Sequence, residues 1–304
     1  MEPKDFNINK FKFKIFMATM EKNANKYQKI DTIFKRDANN IIMPYDGLVK
    51  PELEYLRNMK FDASEKIDGT NIRIEVYRQY LYDTNNNVIG VSFSVDYRGK
   101  TDDANMPKHL DEYLRTTYPL EKVLFSLNLK ETIMLDEFQE HGWGTLNEKT
   151  EVFTPDPTRV PEIYTIYGEG YGMKIQKGGN YIPDGVGFIV FDVKVNNIYL
   201  LREDRDEIAT KLGAPIVPYM GQFTIDEAIE FVRKGFKSTI AHNKDYDAEG
   251  LVLTTPLGLK DRQGRRIIFK VKTCDWDKYF RKYGTYDKVD QPVNEKYKNE
   301  NVGV

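Results

Sequence analysis

The sequence has few of the residues that build disulfides or cysteine–histidine metal sites. Its 304 residues include one cysteine, Cys274, and three histidines, His109, His141 and His242, which are not spaced as metal ligands. A single cysteine excludes an internal disulfide and a cysteine zinc site, and it fits a reducing compartment. No apolar run approaches the ~20 residues of a membrane span, and the N-terminus lacks a secretory pattern. We therefore expect a cytoplasmic protein without a membrane partner.

An excess of charge of one sign is also absent. The chain carries 45 basic and 47 acidic residues, which gives a net charge of −2. This balance argues against a general nucleic-acid coat but leaves room for a local basic groove. The length suffices for one large domain or two modest ones.

Hydrophobic periodicity predicts an α+β fold of twisted, mostly antiparallel sheets with flanking helices. Alternating apolar residues before and after a polar turn at 83–87 predict a β-hairpin. Further strands are predicted at 163–167, 187–193, 249–253 and 267–272. Helices are predicted near 203–212, where Gly213 stops the helix, and near 225–234, where Thr224 with Glu227 forms a capping box.

The segment from Glu65 to Arg73 contains the first candidate for chemistry. Lys66 lies between an apolar approach and an alternating run that predicts a half-buried strand. A crowded lysine can lose its proton and become a nucleophile, which a solvated lysine seldom does. These nine residues alone fit a simple Asp68-Gly69 turn with a solvated Lys66 at least as well.

Polar residues recur at the ends of the later predicted strands. Glu169 follows one strand, Glu249 begins another, and Lys270 and Lys272 close the last. Side chains two apart on a strand share a face, so these two lysines form a pair suited to phosphate groups. Lysines that protect an edge strand are an equal alternative. Glu169 and Glu249 suit a metal ion or a ribose hydroxyl, or they are solvated turn acids.

Taken in order, these motifs resemble the covalent nucleotidyltransferase superfamily, and within it the ATP-dependent RNA ligases of the RNA ligase 2 type. The resemblance spans about residues 60–275 and rests on six segments: Lys66-Ile67-Asp68-Gly69, Tyr97-Arg98-Gly99-Lys100, Tyr167-Gly168-Glu169, Phe188–Val193, Glu249–Leu253 and Lys270-Val271-Lys272.

The resemblance implies a nucleotidyltransferase (ATP-grasp-like ligase) domain over residues 46–286. An N-terminal extension, 1–45, precedes it and a polar tail, 287–304, follows. DNA ligases and RNA-capping guanylyltransferases usually append an OB-fold domain after the last motif. Only 32 residues follow Lys272, so we expect no such C-terminal domain.

The resemblance also implies a reaction and a set of site residues. Lys66 would take AMP from ATP, pass it to an RNA 5′-phosphate and allow an RNA 3′-hydroxyl to seal the ends. Mg²⁺ or Mn²⁺ would assist, and the enzyme would act as a monomer. The expected catalytic residues are Lys66, Asp68, Asn71, Arg98, Lys270 and Lys272. The expected nucleotide-binding residues are Glu65, Lys66, Arg73, Glu169, Phe191, Glu249, Lys270 and Lys272, with Glu249 also on the metal.

Several alternatives stay open at this level. Arg73 fits an outward-facing strand arginine as well as a phosphate or ribose contact, and Phe191 fits a core position as well as a base-stacking one. A DNA ligase, a capping guanylyltransferase or a non-catalytic RNA- or nucleotide-binding relative would carry related motifs. A virus-encoded enzyme that acts in the host cytoplasm is compatible with the sequence.

Overall fold

The structure, a computed structural model, describes residues 24–176 and 178–284. They divide into two compact units, one drawn from residues 24–28 and 68–217 and the other from 29–67 and 218–284. The predicted α+β class with antiparallel sheets and flanking helices is confirmed. The predicted polar tail, 287–304, and residues 1–23 of the predicted extension lie outside the described residues. The predicted domain boundaries stay predictions.

Thirteen strands and six helices are defined in the described part of the chain. The strands are β1 Asp31–Thr32, β2 Phe61–Glu65, β3 Thr70–Tyr82, β4 Val88–Arg98, β5 Thr132–Met134, β6 Gly144–Asn147, β7 Val152–Pro155, β8 Ile163–Gly172, β9 Val186–Val195, β10 Ile198–Tyr199, β11 Tyr219–Phe223, β12 Gly250–Thr254 and β13 Ile268–Lys272. The helices are α1 Pro51–Tyr55, α2 Lys108–Thr117, α3 Leu120–Ser126, α4 Arg202–Leu212, α5 Ile225–Lys234 and α6 Thr273–Tyr283. No helix among the described residues combines the length and the apolar character needed to span a membrane.

The first unit is built on an antiparallel sheet with strand order β10-β9-β8-β3-β4-β5. The predicted hairpin is part of this sheet, as β3 and β4. Ile72, Ile74 and Val76 are fully buried in one hydrophobic core. Because side chains alternate along a strand, Asn71, Arg73 and Glu75 face the opposite side of the sheet.

The second unit is built on a sheet with strand order β1-β13-β12-β2-β11, in which only the β1–β13 pair is parallel. One face packs into a separate core whose strand residues are Phe61, Ala63, Leu251, Leu253, Phe269 and Val271. On the other face, the register places Val252 between Ser64 and Lys270. Lys270 and Lys272 are both half-buried on that face, as their spacing predicts.

The two helices with the clearest sequence signals form where they are predicted. At the start of α5, Thr224 Oγ1 accepts the Glu227 N–H at 3.3 Å, and Glu227 Oε2 accepts the Thr224 N–H at 2.7 Å. This capping box satisfies two backbone donors that the helix leaves without partners. Helix α4 ends at Gly213, whose φ of 68° is the left-handed conformation that stops a helix.

Candidate functional site

The ends of three strands of the second unit bring a lysine, a glutamate and a second lysine together. Lys66 directly follows β2, and its N–H donates to Gly250 O at 2.9 Å. Gly250 is in turn the register partner of Lys272 at the end of β13. The carboxylate of Glu249 lies 2.6 Å from Lys66 Nζ through Oε2 and 2.8 Å from Lys272 Nζ through Oε1. One carboxylate therefore bridges two ammonium groups.

Gly250 makes this approach possible. Its φ is +145°, and a Cβ at this position would lie 2.0 Å from Val271 O and 2.9 Å from Lys272 Cα. Only glycine allows β12 to begin so close to β13 in this conformation. The glycine that follows Glu249 in the sequence therefore places the Glu249 carboxylate between the two lysines.

Burial strengthens the interactions of this cluster. The side chains of Glu249, Lys66 and Lys272 are 14%, 21% and 26% exposed. Burial works against the charged form of Glu249, but Lys66 and Lys272 outweigh it and hold the carboxyl pKa below its ordinary value. Burial tends to lower the pKa of Lys272, but the hydrogen bond to Glu249 and the charge of Glu249 outweigh it, so the Lys272 pKa is raised.

Lys270 adds a third lysine to the same face. Burial lowers the pKa of Lys270, and the charges of Lys66 and Lys272 lower it further. With one glutamate against three lysines, the cluster is cationic at neutral pH. Such a site suits an anion with several oxygens, such as a polyphosphate.

The donor set limits how a metal ion could bind here. Within the described residues, no group of three or more His, Cys, Asp or Glu side chains is arranged to hold a metal ion. Glu249 is thus a single carboxylate among lysines and not part of a protein-built cage. That arrangement fits Mg²⁺ or Mn²⁺ only if waters and substrate phosphates complete the coordination, which is how Mg²⁺ commonly binds.

The first unit carries a second group of expected site residues along adjacent strands. Asn71 on β3 is the register partner of Glu169 on β8, and Glu169 is the partner of Ile189 on β9. Asn71 Oδ1 is buried and has no hydrogen-bond partner. A buried acceptor without a partner is costly, so Asn71 Oδ1 is a candidate to accept a hydrogen bond from a substrate.

The turn before β3 is fixed by glycine and by a backbone hydrogen bond. A Cβ on Gly69 would lie 2.3 Å from Gly170 O, so β3 begins in close contact with β8. The Asp68 N–H donates to the hydroxyl of Tyr181 at 3.2 Å.

The structure contradicts one of the two sequence interpretations of Arg73. Arg73 is fully buried, so it is not an outward-facing strand arginine. Its guanidinium donates to Gly99 O at 2.9 Å, to Glu75 at 2.8 Å and to Asp102 at 2.8 Å. These contacts hold the turn after β4 and use the guanidinium within the protein. A direct nucleotide contact by Arg73 stays a prediction.

Arg98 lies on the exposed side of the same ionic network. Its guanidinium is 2.7 Å from Asp96 and 3.3 Å from Glu75, and it lines an open cleft with Lys108. Burial raises the pKa of Glu75, against the opposing effects of a hydrogen bond from Tyr77 and the nearby arginines. Arg98 is therefore oriented by carboxylates and remains accessible from the cleft.

Glu65 and Phe191 occupy positions that the sequence did not specify. Glu65 is buried and accepts hydrogen bonds from Ser238 Oγ at 2.5 Å and from Thr239 N and Oγ1 at 2.9 and 2.7 Å. It anchors the segment before β12, and its expected nucleotide contact stays a prediction. Phe191 is half-buried, with its ring 5.0 Å from that of Tyr27, whereas Phe188 is fully buried in the core. Burial thus separates the two phenylalanines.

The expected site residues fall into two sets. The second unit holds Glu65, Lys66, Glu249, Lys270 and Lys272, whereas the first unit holds Asp68, Asn71, Arg73, Arg98, Glu169 and Phe191. Sequence reasoning missed Ser238, Thr239 and Glu75. Ser238 and Thr239 have no local signal, because their partner Glu65 is distant in the sequence.

A lysine bridged to a glutamate, with a same-face lysine pair at the ends of antiparallel strands, is the arrangement expected of a covalent nucleotidyltransferase. The chain belongs to the RNA ligase family, whose sequence profile matches residues 59–272. That range contains Lys66, Glu249, Lys270 and Lys272.

Solved structures of an RNA ligase from Naegleria gruberi are also similar to this chain. A variant with ATP and Mn is 16% identical, with 84% of this chain and 63% of that chain covered and a TM-score of 0.45. The same ligase with PPi is 16% identical, with 84% of this chain and 64% of that chain covered and a TM-score of 0.46. A second variant with ATP and Mn is 16% identical, with 88% of this chain and 59% of that chain covered and a TM-score of 0.48. This chain spans about three fifths of the length of those proteins. No curated protein sequence matches it.

Proposed function

We propose that this chain is an ATP-dependent RNA ligase that works through a lysyl-adenylate on Lys66. The observation that carries the proposal is the Glu249 carboxylate held between Lys66 and Lys272, inside the segment that matches the RNA ligase family. A solvated strand-end lysine would not be held by a buried carboxylate that also binds a second lysine.

The proposed reaction has three displacements at phosphorus. The neutral amine of Lys66 attacks the α-phosphorus of ATP, so a P–N bond forms, the P–O bond to pyrophosphate breaks and the amine loses a proton. An oxygen of the RNA 5′-phosphate then attacks the same phosphorus, so a P–O bond forms, the P–N bond breaks and Lys66 leaves as an amine that takes up a proton. Finally, the RNA 3′-hydroxyl oxygen attacks the 5′-phosphorus, loses its proton and expels AMP.

The lysine cluster supplies positive charge for these displacements. Phosphoryl transfer depends mainly on alignment and on charge neutralisation, because negative charge accumulates on the phosphate oxygens. Lys270 and Lys272 hold those oxygens in the proposal. Lys270 and Lys272 share one sheet face, and Lys272 contacts the same Glu249 carboxylate as Lys66, which supports this role. The loss of one such contact typically costs about 3 kcal/mol in the transition state.

The Lys66 ammonium must lose its proton before it can attack. At 2.6 Å, the Lys66 ammonium is paired with the Glu249 carboxylate, so this ion pair describes a resting state. When bound at Glu249, a divalent cation would supply charge to the phosphates and compete with Lys66 for the carboxylate. Glu249 would hold the cation, and Lys272 would remain on the phosphates.

We assign the remaining expected residues to substrate binding. Glu169 would bind the ribose hydroxyls and Phe191 would stack on adenine. Asn71, with its unpartnered Oδ1, and Arg98, which lines an open cleft, would hold the RNA ends. Asp68 would support the lysine turn.

The direct test is incubation with ATP or GTP labelled at the α-phosphate, followed by denaturing electrophoresis. The wild type should become labelled from ATP and a divalent cation, and not appreciably from GTP. Lys66→Ala should abolish the label. Lys66→Arg is the matched control, since it keeps the positive charge beside Glu249 but cannot act as a nucleophile, and it too should remain unlabelled. Label on either variant would refute the assignment, and labelling from GTP alone would favour a guanylyltransferase.

A further inference from the structure

The turn that joins β12 to β13 is basic in a chain that is otherwise slightly acidic. We call residues 255–267 the hairpin tip. It contains Lys260, Arg262, Arg265 and Arg266 but only one acidic residue, Asp261, whereas acidic residues outnumber basic ones in the chain as a whole. The hairpin tip is therefore a local concentration of positive charge.

The hairpin tip is an ordered turn. Thr255 Oγ1 accepts the Leu259 N–H at 2.6 Å, and the backbones of Lys260 and Arg266 form a β-bridge. Asp261 Oδ1 accepts the Arg265 N–H at 2.9 Å, and its Oδ2 lies 3.0 Å from Arg265 Nε. The only acidic residue of the tip is thus used to close the turn.

This arrangement leaves two exposed cations available. Lys260 and Arg262 are both exposed, and within the described residues neither side chain makes an ion pair or a hydrogen bond. Asp31, a neighbouring acid at the base of the tip, is already paired with Lys50 at 3.2 Å. Leu257 is 77% exposed beside these cations.

The same hairpin connects the tip to the reactive cluster. Strands β12 and β13 pair without interruption from Gly250 opposite Lys272 to Thr254 opposite Ile268. Six residues separate Lys272 from Arg266, and at about 3.3 Å per residue this corresponds to roughly 20 Å. At about 3.4 Å per nucleotide along one strand of a duplex, the tip lies roughly six nucleotides from the catalytic lysines.

We propose that the hairpin tip is a second RNA-binding surface that contacts backbone phosphates about six nucleotides from the joining site. The proposal rests on the proposed ligase function, since that function places an RNA strand end at Lys66. Exposed Lys and Arg side chains bind phosphates without sequence preference, and they make binding dependent on salt. The rigid hairpin holds the tip at a fixed distance from the cluster.

The test uses the double variant Lys260→Gln/Arg262→Gln in the full chain. Its matched control is Lys278→Gln/Arg281→Gln, which makes the same charge change on the exposed side of α6 in the same unit. We expect the tip variant to bind nicked RNA duplexes with long arms about tenfold more weakly at low salt. The slope of log affinity against log salt should fall by roughly 1.4–1.8, which corresponds to two phosphates. Adenylylation by ATP should be unchanged.

The length of the RNA duplex arms tests most directly whether the tip contacts RNA at a distance from the joining site. With duplex arms of about four base pairs, which end before the tip at ~3.4 Å per step, the tip variant and the wild type should bind equally. An equal loss on short and long arms, or a loss as large in the control, would overturn the proposal. The wild type could also bind anionic lipid vesicles. If the tip variant then lost vesicle binding but bound RNA as well as the wild type does, the surface would be assigned to membranes instead.

RNA binding does not require adenylylation, so the two proposals can fail separately. If the wild type forms no adenylate but the tip variant still loses long-arm binding, the ligase mechanism is wrong and the surface stands. If adenylylation is normal and long-arm binding is unchanged, the surface is wrong and the ligase mechanism stands.

Discussion

Replacement of Glu249 by glutamine should destabilise the second unit, because it removes the carboxylate that bridges Lys66 and Lys272. Glutamine keeps the shape, but its single carbonyl oxygen cannot bridge two ammonium groups 2.6 and 2.8 Å away as a carboxylate does. Hydrogen bonds to charged groups contribute about 1.5–3 kcal/mol each, and the loss of one partner of a buried pair costs about 3–5 kcal/mol. Since the lysines are about a fifth to a quarter exposed, water recovers part of this. We expect a loss of about 2–4 kcal/mol in the free energy of unfolding.

The two tryptophans allow this unit to be observed alone. Trp143 belongs to the first unit and Trp276 is buried in the second. In a Trp143→Phe background, urea unfolding followed by fluorescence reports on Trp276.

The double variant Lys66→Met/Glu249→Gln should be more stable than the sum of the single variants predicts, by about 1–2 kcal/mol. Additive effects would show that the Lys66–Glu249 ion pair contributes nothing, which would refute the reasoning.

The same comparison has a defined pH dependence. The folded-state pKa of Glu249 lies below its ordinary value of 4.5, so its stabilising contribution is fully present above that value. It is lost as the pH falls through the lower, folded-state pKa. The stability difference between wild type and Glu249→Gln should therefore be constant near neutral pH and shrink below pH 4.5. A difference that persists unchanged in acid would contradict a role for the carboxylate charge.

Four further substitutions test other parts of the account. Gly250→Ala should reduce adenylylation about a hundredfold, because a Cβ there meets Val271 O at 2.0 Å and must displace Glu249. The control is Gly235→Ala, which introduces the same kind of backbone strain at a φ of 77° but no clash, since nothing lies within 4 Å, and it should leave adenylylation unchanged. Asn71→Ala and Arg98→Ala should still form the enzyme adenylate but join pre-adenylylated RNA poorly, and normal joining by both would exclude them from binding the RNA ends. Glu75→Gln removes a carboxylate 3.3 Å from Arg98, so it should impair the same joining step, with near-normal adenylylation as the internal control.

Features set by local pattern are predictable from the sequence. The capping box at Thr224 and the helix stop at Gly213 depend on residues within one turn, and both form as predicted. The common face of Lys270 and Lys272 follows from the two-residue period of a strand. Each of these features is decided by neighbours in the sequence.

Features set by distant partners are not predictable in this way. Arg73 looks like an outward-facing strand residue, but Glu75 and Asp102 compensate for its burial. Residues 31–42 have no clear periodicity, yet β1 pairs with β13 and Ile33 and Ile42 are buried in the second core. The bridge from Glu249 to two lysines likewise depends on three strand ends that meet only in the folded chain.

The covalent intermediate on Lys66 is the central claim, and a single-turnover chase tests it most directly. The protein is incubated with ATP and Mg²⁺ and freed of nucleotide. One portion is digested, and the attached AMP is located by peptide mass spectrometry. The other portion is mixed with nicked RNA without ATP. The account predicts one AMP per chain on Lys66, followed by joined RNA and released AMP in matching amounts. AMP on another residue, or an adenylate on Lys66 that never transfers to the RNA, would contradict it.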